Sequence, residues 1–584
     1  MKVSTILTHQ HLKWQSLLPN MLPYEALFLR VSDLAPISFE DVQPRLSNAL
    51  ALFCHPQSQE RFMLIKAQEH DQYLSLISQV VQKQYTEPLK CSSGRYAVED
   101  NEIHWFSTCR DQDTFASQAV CLFQNWIEPE QMFGAVKFHQ NKIDLQPGLI
   151  HRVNGGGVLV ISVSTLLAQP LIWRRLKQMI IQKRFEWLSP DEKRPLSVTV
   201  PPMPLDVKLV LVGNAWRLED FFQVESELNL FSFYGEFETE LSLKNPEAIN
   251  LWCRYIHSLT DMPLVSDAWP IFIREAVRET GDKERLPLCP VWIKQCLSEV
   301  SLYEKQGKIT ANSLNDALSA RHWRQNYLCE CIQNDIEEDQ IFIETTGDVI
   351  GQVNGLAVIE YPGHPQALGE PTRISCVVHL GDGEFVDVER KSELGGDIHA
   401  KGMMIMQAFL ISELALDHAQ PFSASLVFEQ SYAEVDGDSA SLAQLCALAS
   451  ALAQQPIHQA RAVTGSIDQF GRVQPVGGIN EKIEGFFQAC DRRGLTGSQG
   501  VILPGQNVRH LCLNDSVVEA VKQGHFHLWA VDTVGDALPL LTGMPYSDTD
   551  KPNLLHKIRQ RIAQVHHHDR RGFLGRCLEW FQKH

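Results

Sequence analysis

Apolar positions at helical spacing open the readable part of the chain. Val42, Leu46, Leu50 and Phe53 share one face, which predicts a helix over residues 39–54. An apolar run over 61–66 then predicts a buried strand. Two further runs, over 158–163 and 207–212, are mostly apolar and predict strands. The first leads into a helical pattern carrying Leu171, Trp173, Leu176, Met179 and Ile180, and the second ends in a Gly213-Asn214 turn. Strands alternating with helices predict an α/β module over residues 1–235. Within it, the first thirty or so residues have no clear period, and residues 86–113 are polar and weakly patterned, so they read as a connection.

Residues 236–338 are rich in helical patterns such as AINLWCRYIHSL and PVWIKQCLSEV. Beyond 338 the period changes to alternation, with strands over 350–361, 373–381 and 384–390 bounded by Gly and Pro. A turn and long helix follow over 394–417, and a strand over 423–432. The stretch FEQSYAEVDGDSASLAQLCALASALAQQP places Ser439 after an acidic, Gly-containing turn and in front of an uncharged helix, near the unpaired N–H groups of its first turn. In AVTGSIDQFGRVQPVGGINEKIEGFFQACDRRG, residues 467–473 predict a short hairpin and Gly477-Gly478 a turn. Ile483, Phe486, Phe487 and Cys490 form the apolar stripe of a helix whose first turn holds Lys482. A strand over 501–503, a helix over 508–521, a strand over 526–531 and a closing segment over 534–541 complete a second α/β domain over 339–545. Residues 546–584 form a basic, amphipathic tail with three adjacent histidines, His566, His567 and His568, which lack the i, i+4 spacing of a metal site.

Ser439 and Lys482 are the candidate catalytic pair. A serine hydroxyl is a poor nucleophile until a base takes its proton, and a lysine amine can serve if burial keeps it neutral. Taken singly, a serine at a helix start is an ordinary N-cap and a lysine in a first turn an ordinary solvated residue. Together they resemble the Lon protease family (endopeptidase La), in its B-type branch, through VDGDSAS (435–441), GGINEK (477–482), their separation, and the intervening Thr464-Gly465.

That resemblance implies Ser439 as nucleophile and Lys482 as general base, a variant of the Ser-His-Asp arrangement. It further implies Thr464 orienting the amine, Asp436 as the acidic residue beside the pair, and an oxyanion hole of backbone N–H groups around Asp438 and Ser439. His399 falls in the family's GGxIHxKG motif, where it has no catalytic role. For the rest of the chain the resemblance implies an AAA+ α/β module and a helical lid ahead of the Lon proteolytic domain.

The module departs from that pattern where nucleotide chemistry is done. Where a G-x-x-x-x-G-K-[ST] loop would stand, the chain reads Lys66-Ala67-Gln68-Glu69-His70-Asp71-Gln72, without glycine and with two acids that repel phosphate. The acidic pair expected at the end of strand 158–163 is replaced by Ser162-Val163, which cannot hold magnesium as a carboxylate would. Asn214 stands at the family's polar sensor position, where it is equally a turn residue. Arg274, Arg278 or Arg285 is either a remnant nucleotide sensor or a surface arginine. The expectation is a degenerate AAA+ module, with no cofactor required for peptide hydrolysis and the ATP and magnesium motifs lost.

At 584 residues, 44% hydrophobic and 21% charged, the chain has the composition of a multidomain globular protein. A net charge of −18 argues against sequence-independent nucleic-acid binding. The 14 cysteines are scattered, without disulfide or zinc spacing, and no segment reads as a signal peptide or membrane span, which points to the cytoplasm. Expected partners are unfolded protein or peptide substrates and, by resemblance, copies of the chain in a homo-oligomeric, hexameric ring. A non-enzymatic ring or scaffold that binds unfolded chains or a Lon-type partner is the alternative.

Overall fold

A computed structural model describes residues 11–563, apart from 87–93, 100–101, 108–114, 140–141, 190–194, 197, 246, 306, 381–384, 415–421, 432–433 and 549–550. His566, His567 and His568 therefore lie outside the described residues.

The first module is built on strands β1 (Phe62–Lys66), β2 (Cys121–Gln124), β3 (Gly157–Ser162), β4 (Val207–Gly213) and β5 (Ser232–Glu236). They form one sheet in the order β5-β1-β4-β3-β2, and every pairing is parallel. Side chains alternate across it. Met63, Ile65, Val210 and Val212 face helices α1 (Pro44–Cys54) and α2 (Asp71–Lys83), while Leu64, Ile161, Leu209 and Leu211 face α3 (Pro170–Gln182) and α4 (Ala215–Val224). Covering both faces is why the central strands β1, β3 and β4 are largely apolar.

Two local expectations change. The helix predicted over 39–54 is split at Gln43, because Pro44 has no N–H to continue a helix and instead starts α1 at its first position. Val42, Leu46, Leu50 and Phe53 are nevertheless all buried. The connection read over 86–113 contains an antiparallel hairpin, Arg95–Glu99 with Glu102–Phe106, whose Tyr96 and Trp105 rings pack on each other. A period of two spanning only five residues per strand is too short to stand out among polar neighbours.

Helices α5 (Ala248–Ser258), α6 (Ala268–Thr280), α7 (Pro290–Ser301) and α8 (Ala311–Gln325) follow, with Trp252, Trp269 and Phe272 completing the core on the α1–α2 face of the sheet. Helix α9 (Tyr327–Glu337) leaves this unit and packs on the C-terminal domain, where Gln333 donates to the Gly485 carbonyl.

The C-terminal domain holds a seven-stranded mixed sheet made of β6 (Gln352–Ile359), β7 (Leu368–Leu380), β8 (Phe385–Asp387), β9 (Phe422–Phe428), β10 (Arg461–Val463), β11 (Gly500–Pro504) and β12 (His527–Val531). The order is β8-β9-β7-β6-β10-β11-β12, with β7 antiparallel to both neighbours and the other pairs parallel. Helix α10 (Val388–Lys391) follows β8. Helices α11 (Asp397–Leu414), α12 (Ser441–Ala453) and α15 (Val534–Thr542) share one core, and α13 (Ile479–Arg493) and α14 (Asp515–Lys522) the other.

The single helix predicted over 508–521 is instead a 3-10 turn (Gly505–His510) and α14, separated by residues 511–514, of which the first three are Leu511, Cys512 and Leu513. These three are fully buried, and the Cys512 N–H is taken by the Asn480 side chain, so tertiary contacts hold that stretch extended. The first and last described segments also join this domain. Leu17 is buried beside α14 and accepts from the Leu513 N–H, and the tail contributes a helix over 554–563 whose Leu554, Leu555, Ile558 and Ile562 enter the core. An N-terminal segment that begins the first module in sequence is thus packed on the second. Among the described residues, no helix is long and apolar enough to cross a membrane.

Candidate active site

Strand β9 leads through residues 429–440 into α12, and Ser439 lies two residues ahead of that helix. The loop is held from both sides. Val435 N–H donates to the Leu394 carbonyl and Gly396 N–H to the Val435 carbonyl, so the loop runs as a short bridge beside the segment entering α11. Gly437 has φ +109°, a left-handed value that favours glycine, and it turns the chain between Asp436 and Asp438. Asp436 is exposed and its Oδ1 accepts from the N–H groups of Gly437 and Ile398. Asp438 points the other way and accepts from Ser466 Oγ at 2.7 Å.

Helix α13 delivers the lysine. It crosses β7 at two glycines, backbone to backbone. A Cβ on Gly369 would stand 1.7 Å from the Glu481 carbonyl oxygen, and one on Gly485 would stand 2.2 Å from the Gly369 carbonyl oxygen. Only glycine permits that approach, which sets the depth of the first turn of α13. Lys482 Nζ donates to Ser439 Oγ at 2.9 Å and reaches Thr464 Oγ1 at 3.4 Å. Thr464 Oγ1 in turn donates to the Ser439 carbonyl, and Gly465 N–H donates to the same oxygen.

Lys482 is 3% exposed. Burial pulls its amine down from the usual lysine range to about 8, with Asp438 acting weakly in the opposite sense. Among the described residues, the N–H groups of Asp438 and Ser439 have no acceptor, which leaves two donors free beside the hydroxyl. The structure therefore brings Ser439, Lys482, Thr464 and Asp438 together. Asp436 is not part of that cluster and serves the loop.

The sequence reading missed three groups. Arg278 on α6 forms a two-pronged ion pair with Glu484, two residues after Lys482, and donates to the Cys512 carbonyl. Arg274 reaches Asp515 and the Leu513 carbonyl, whereas Arg285 pairs with Glu240 inside the lid. Two of the three arginines weighed as nucleotide sensors thus contact the C-terminal domain. The third group is a buried set of Asp387, Glu389 and His399, whose ligand-type atoms lie within 4.8 Å of one another. In the sequence, Asp387 and Glu389 fall two apart within the strand predicted over 384–390, and His399 stands apart from them in its own motif.

At the end of the parallel sheet, the loop after β1 carries Glu69, whose carboxylate accepts from the Ser164 N–H at the start of the helix following β3. Lys66 pairs with Glu236. The hydroxyls of Ser162 and Thr165 both donate to the Asn125 carbonyl. Asn214 caps α4, its Oδ1 accepting from Arg217 N–H at 2.9 Å.

Comparison with known proteins agrees with both halves. The profile of the LonB-like AAA domain matches residues 122–238, and that of the Lon protease (S16) C-terminal proteolytic domain matches residues 427–542. A protein named as a Lon protease homolog from Escherichia coli (strain K12) is 49% identical, covering 98% of this chain and 100% of its own length. The chain belongs to the Lon protease family. A second such homolog, from Haemophilus influenzae, is 38% identical over 94% of this chain and 93% of its own length. An archaeal Lon protease from Thermococcus kodakarensis is 24% identical over 72% of this chain and 64% of its own length. The Lon proteolytic profile spans the serine loop, Thr464 and the lysine helix, and the LonB-like profile spans β2 to β5.

Proposed function

We propose that this chain is a Lon-type serine endopeptidase that cleaves unfolded proteins or peptides through Ser439 and Lys482, without needing a nucleotide. The observation that carries the reading is the buried Lys482 amine 2.9 Å from the Ser439 hydroxyl. In this mechanism neutral Lys482 takes the proton as Ser439 Oγ attacks the peptide carbonyl, then passes it to the leaving amine. An acyl-enzyme ester remains. Water hydrolyses it with Lys482 again as base. The free N–H groups of Asp438 and Ser439 would bind the oxyanion, and Thr464 would hold the amine in place.

The nucleotide-independent part rests on side chains that occupy the catalytic end of the parallel sheet. A magnesium-bound triphosphate needs backbone N–H donors at the loop after β1 and a carboxylate at the end of β3. Here Glu69 presents negative charge at that loop, and the β3 position is a serine already bonded within the chain. The residues present do not fit the ligand. Substrates would accordingly be chains already unfolded, reaching the site in a homo-oligomeric ring like those of other family members.

The test is cleavage of casein without nucleotide by the wild type and by Ser439→Ala. Wild-type cleavage that the variant lacks is the expected result. Magnesium-dependent ATP hydrolysis required for cleavage would overturn the nucleotide-independent part. No cleavage by either protein would favour the scaffold alternative.

A further inference from the structure

Behind the serine loop lies a set of buried groups that the proposed reaction does not use. Asp387 ends β8, Glu389 lies on α10 and His399 on the first turn of α11. They are 8%, 4% and 2% exposed. Glu389 Oε1 accepts from the Phe428 N–H, but among the described residues Asp387 Oδ1 and Oδ2, Glu389 Oε2 and His399 Nε2 have no hydrogen-bond partner. Leaving one such atom unpaired costs about 1–3 kcal/mol, and more for charged groups, so four in one place call for a common partner.

Geometry narrows what that partner is. His399 Nε2 and Asp387 Oδ2 are 3.1 Å apart, at ion-pair distance but without the alignment of a hydrogen bond. Two donors each about 2.1 Å from one ion, at a tetrahedral angle, lie about 3.4 Å apart. One imidazole and two carboxylates also suit a divalent transition ion in charge, since neutral histidine with two carboxylates and a dication sums to zero.

We propose that Asp387, Glu389 and His399 form a structural site for a divalent transition metal of the zinc class. The ion would tie the end of β8 to the first turn of α11. The segment between them carries Leu394 and Gly396, which hold Val435, and Ile398 N–H, which holds Asp436. It would thereby fix the loop that presents Ser439 without touching the reacting atoms.

The probe is Zn²⁺ alone, added to the full chain carrying His566→Ala, His567→Ala and His568→Ala so that the tail cannot supply ligands. After gel filtration, metal analysis should find one zinc per chain, and zinc should raise the melting temperature. In His399→Gln and Asp387→Asn the retained zinc and the thermal shift should both disappear. Affinity should fall by more than the 10–100-fold that loss of an outer-shell partner costs. X-ray absorption at the zinc edge should show nitrogen and oxygen neighbours, including one imidazole, and no sulfur. This arm decides the matter even if the variants fail to fold. No retained zinc, equal retention by folded variants, or a sulfur-containing shell would each overturn the proposal.

Discussion

Lys482 Nζ stands 2.9 Å from Ser439 Oγ at the end of a side chain that is 3% exposed. With the amine held near 8, the base is mostly protonated at neutral pH and mostly neutral above pH 9. Peptidase kcat/KM should therefore rise about tenfold per pH unit below that value and level off above it. A profile measured from pH 6 to 10 that is flat, or bends near 6.5 as for a histidine base, would count against Lys482.

The same burial predicts a stability effect. Between about 8 and 10.5 the unfolded chain binds a proton at Lys482 that the folded chain does not, so stability rises with pH across that window. Below about 8 the buried charge carries its full penalty, on the order of 3 kcal/mol. Lys482→Met should abolish cleavage yet raise the melting temperature at pH 7 by a few degrees. A lowered melting temperature would mean that the amine is stabilising where it sits.

Thr464 Oγ1 lies 3.4 Å from the Lys482 amine and donates to the Ser439 carbonyl. Thr464→Val should reduce kcat about ten- to a hundredfold with KM little changed, and Thr464→Ser should restore most of it. Steady-state kinetics on a peptide substrate would separate this from a folding defect, which lowers the amount of active enzyme in both variants.

Arg278 and Glu484 join the lid to the lysine helix. Glu484 also accepts from the Asn514 N–H, so Arg278→Gln leaves a largely buried carboxylate short of its counter-charge. We expect a loss of about 2–3 kcal/mol in denaturant titrations, less than a fully buried pair because Arg278 is partly exposed. Arg274→Gln, facing the exposed Asp515, should cost under about 1 kcal/mol. Equal effects would show that burial of the pair is not what matters.

Gly369 tests how the helix is seated. Gly369→Ala places a methyl group against the Glu481 carbonyl, and α13 can respond only by lifting off β7. Cleavage should fall at least a hundredfold while circular dichroism stays near that of the wild type. Unchanged activity would show that the amine tolerates displacement of its helix.

Local patterns carried much of this protein. The mostly apolar runs of β1, β3 and β4 read as buried strands, because a strand covered on both faces is largely apolar. Ser439, Thr464 and Lys482 were legible because their neighbours, VDGDSAS, TG and GGINEK, are short contiguous motifs. The hairpin over 95–106 and the break at 511–514 were not, since one is too short for a periodic signal and the other is held by Asn480 from a different element.

What the sequence by itself determined, then, is which residue types stand at the serine turn and the lysine helix, and that residues 66–72 hold no glycine and 162–163 no carboxylate. Only the tertiary structure decided that the lysine is buried against the serine, that Asp438 rather than Asp436 lies with the pair, and that Arg278 grips the lysine helix. It alone brought Asp387, Glu389 and His399 into one buried cluster and packed Leu17 and the helix over 554–563 onto the C-terminal domain. The reason is physical. Periodicity reports which face of an element is apolar, but the partner of a buried charge is chosen by packing between elements far apart in the chain.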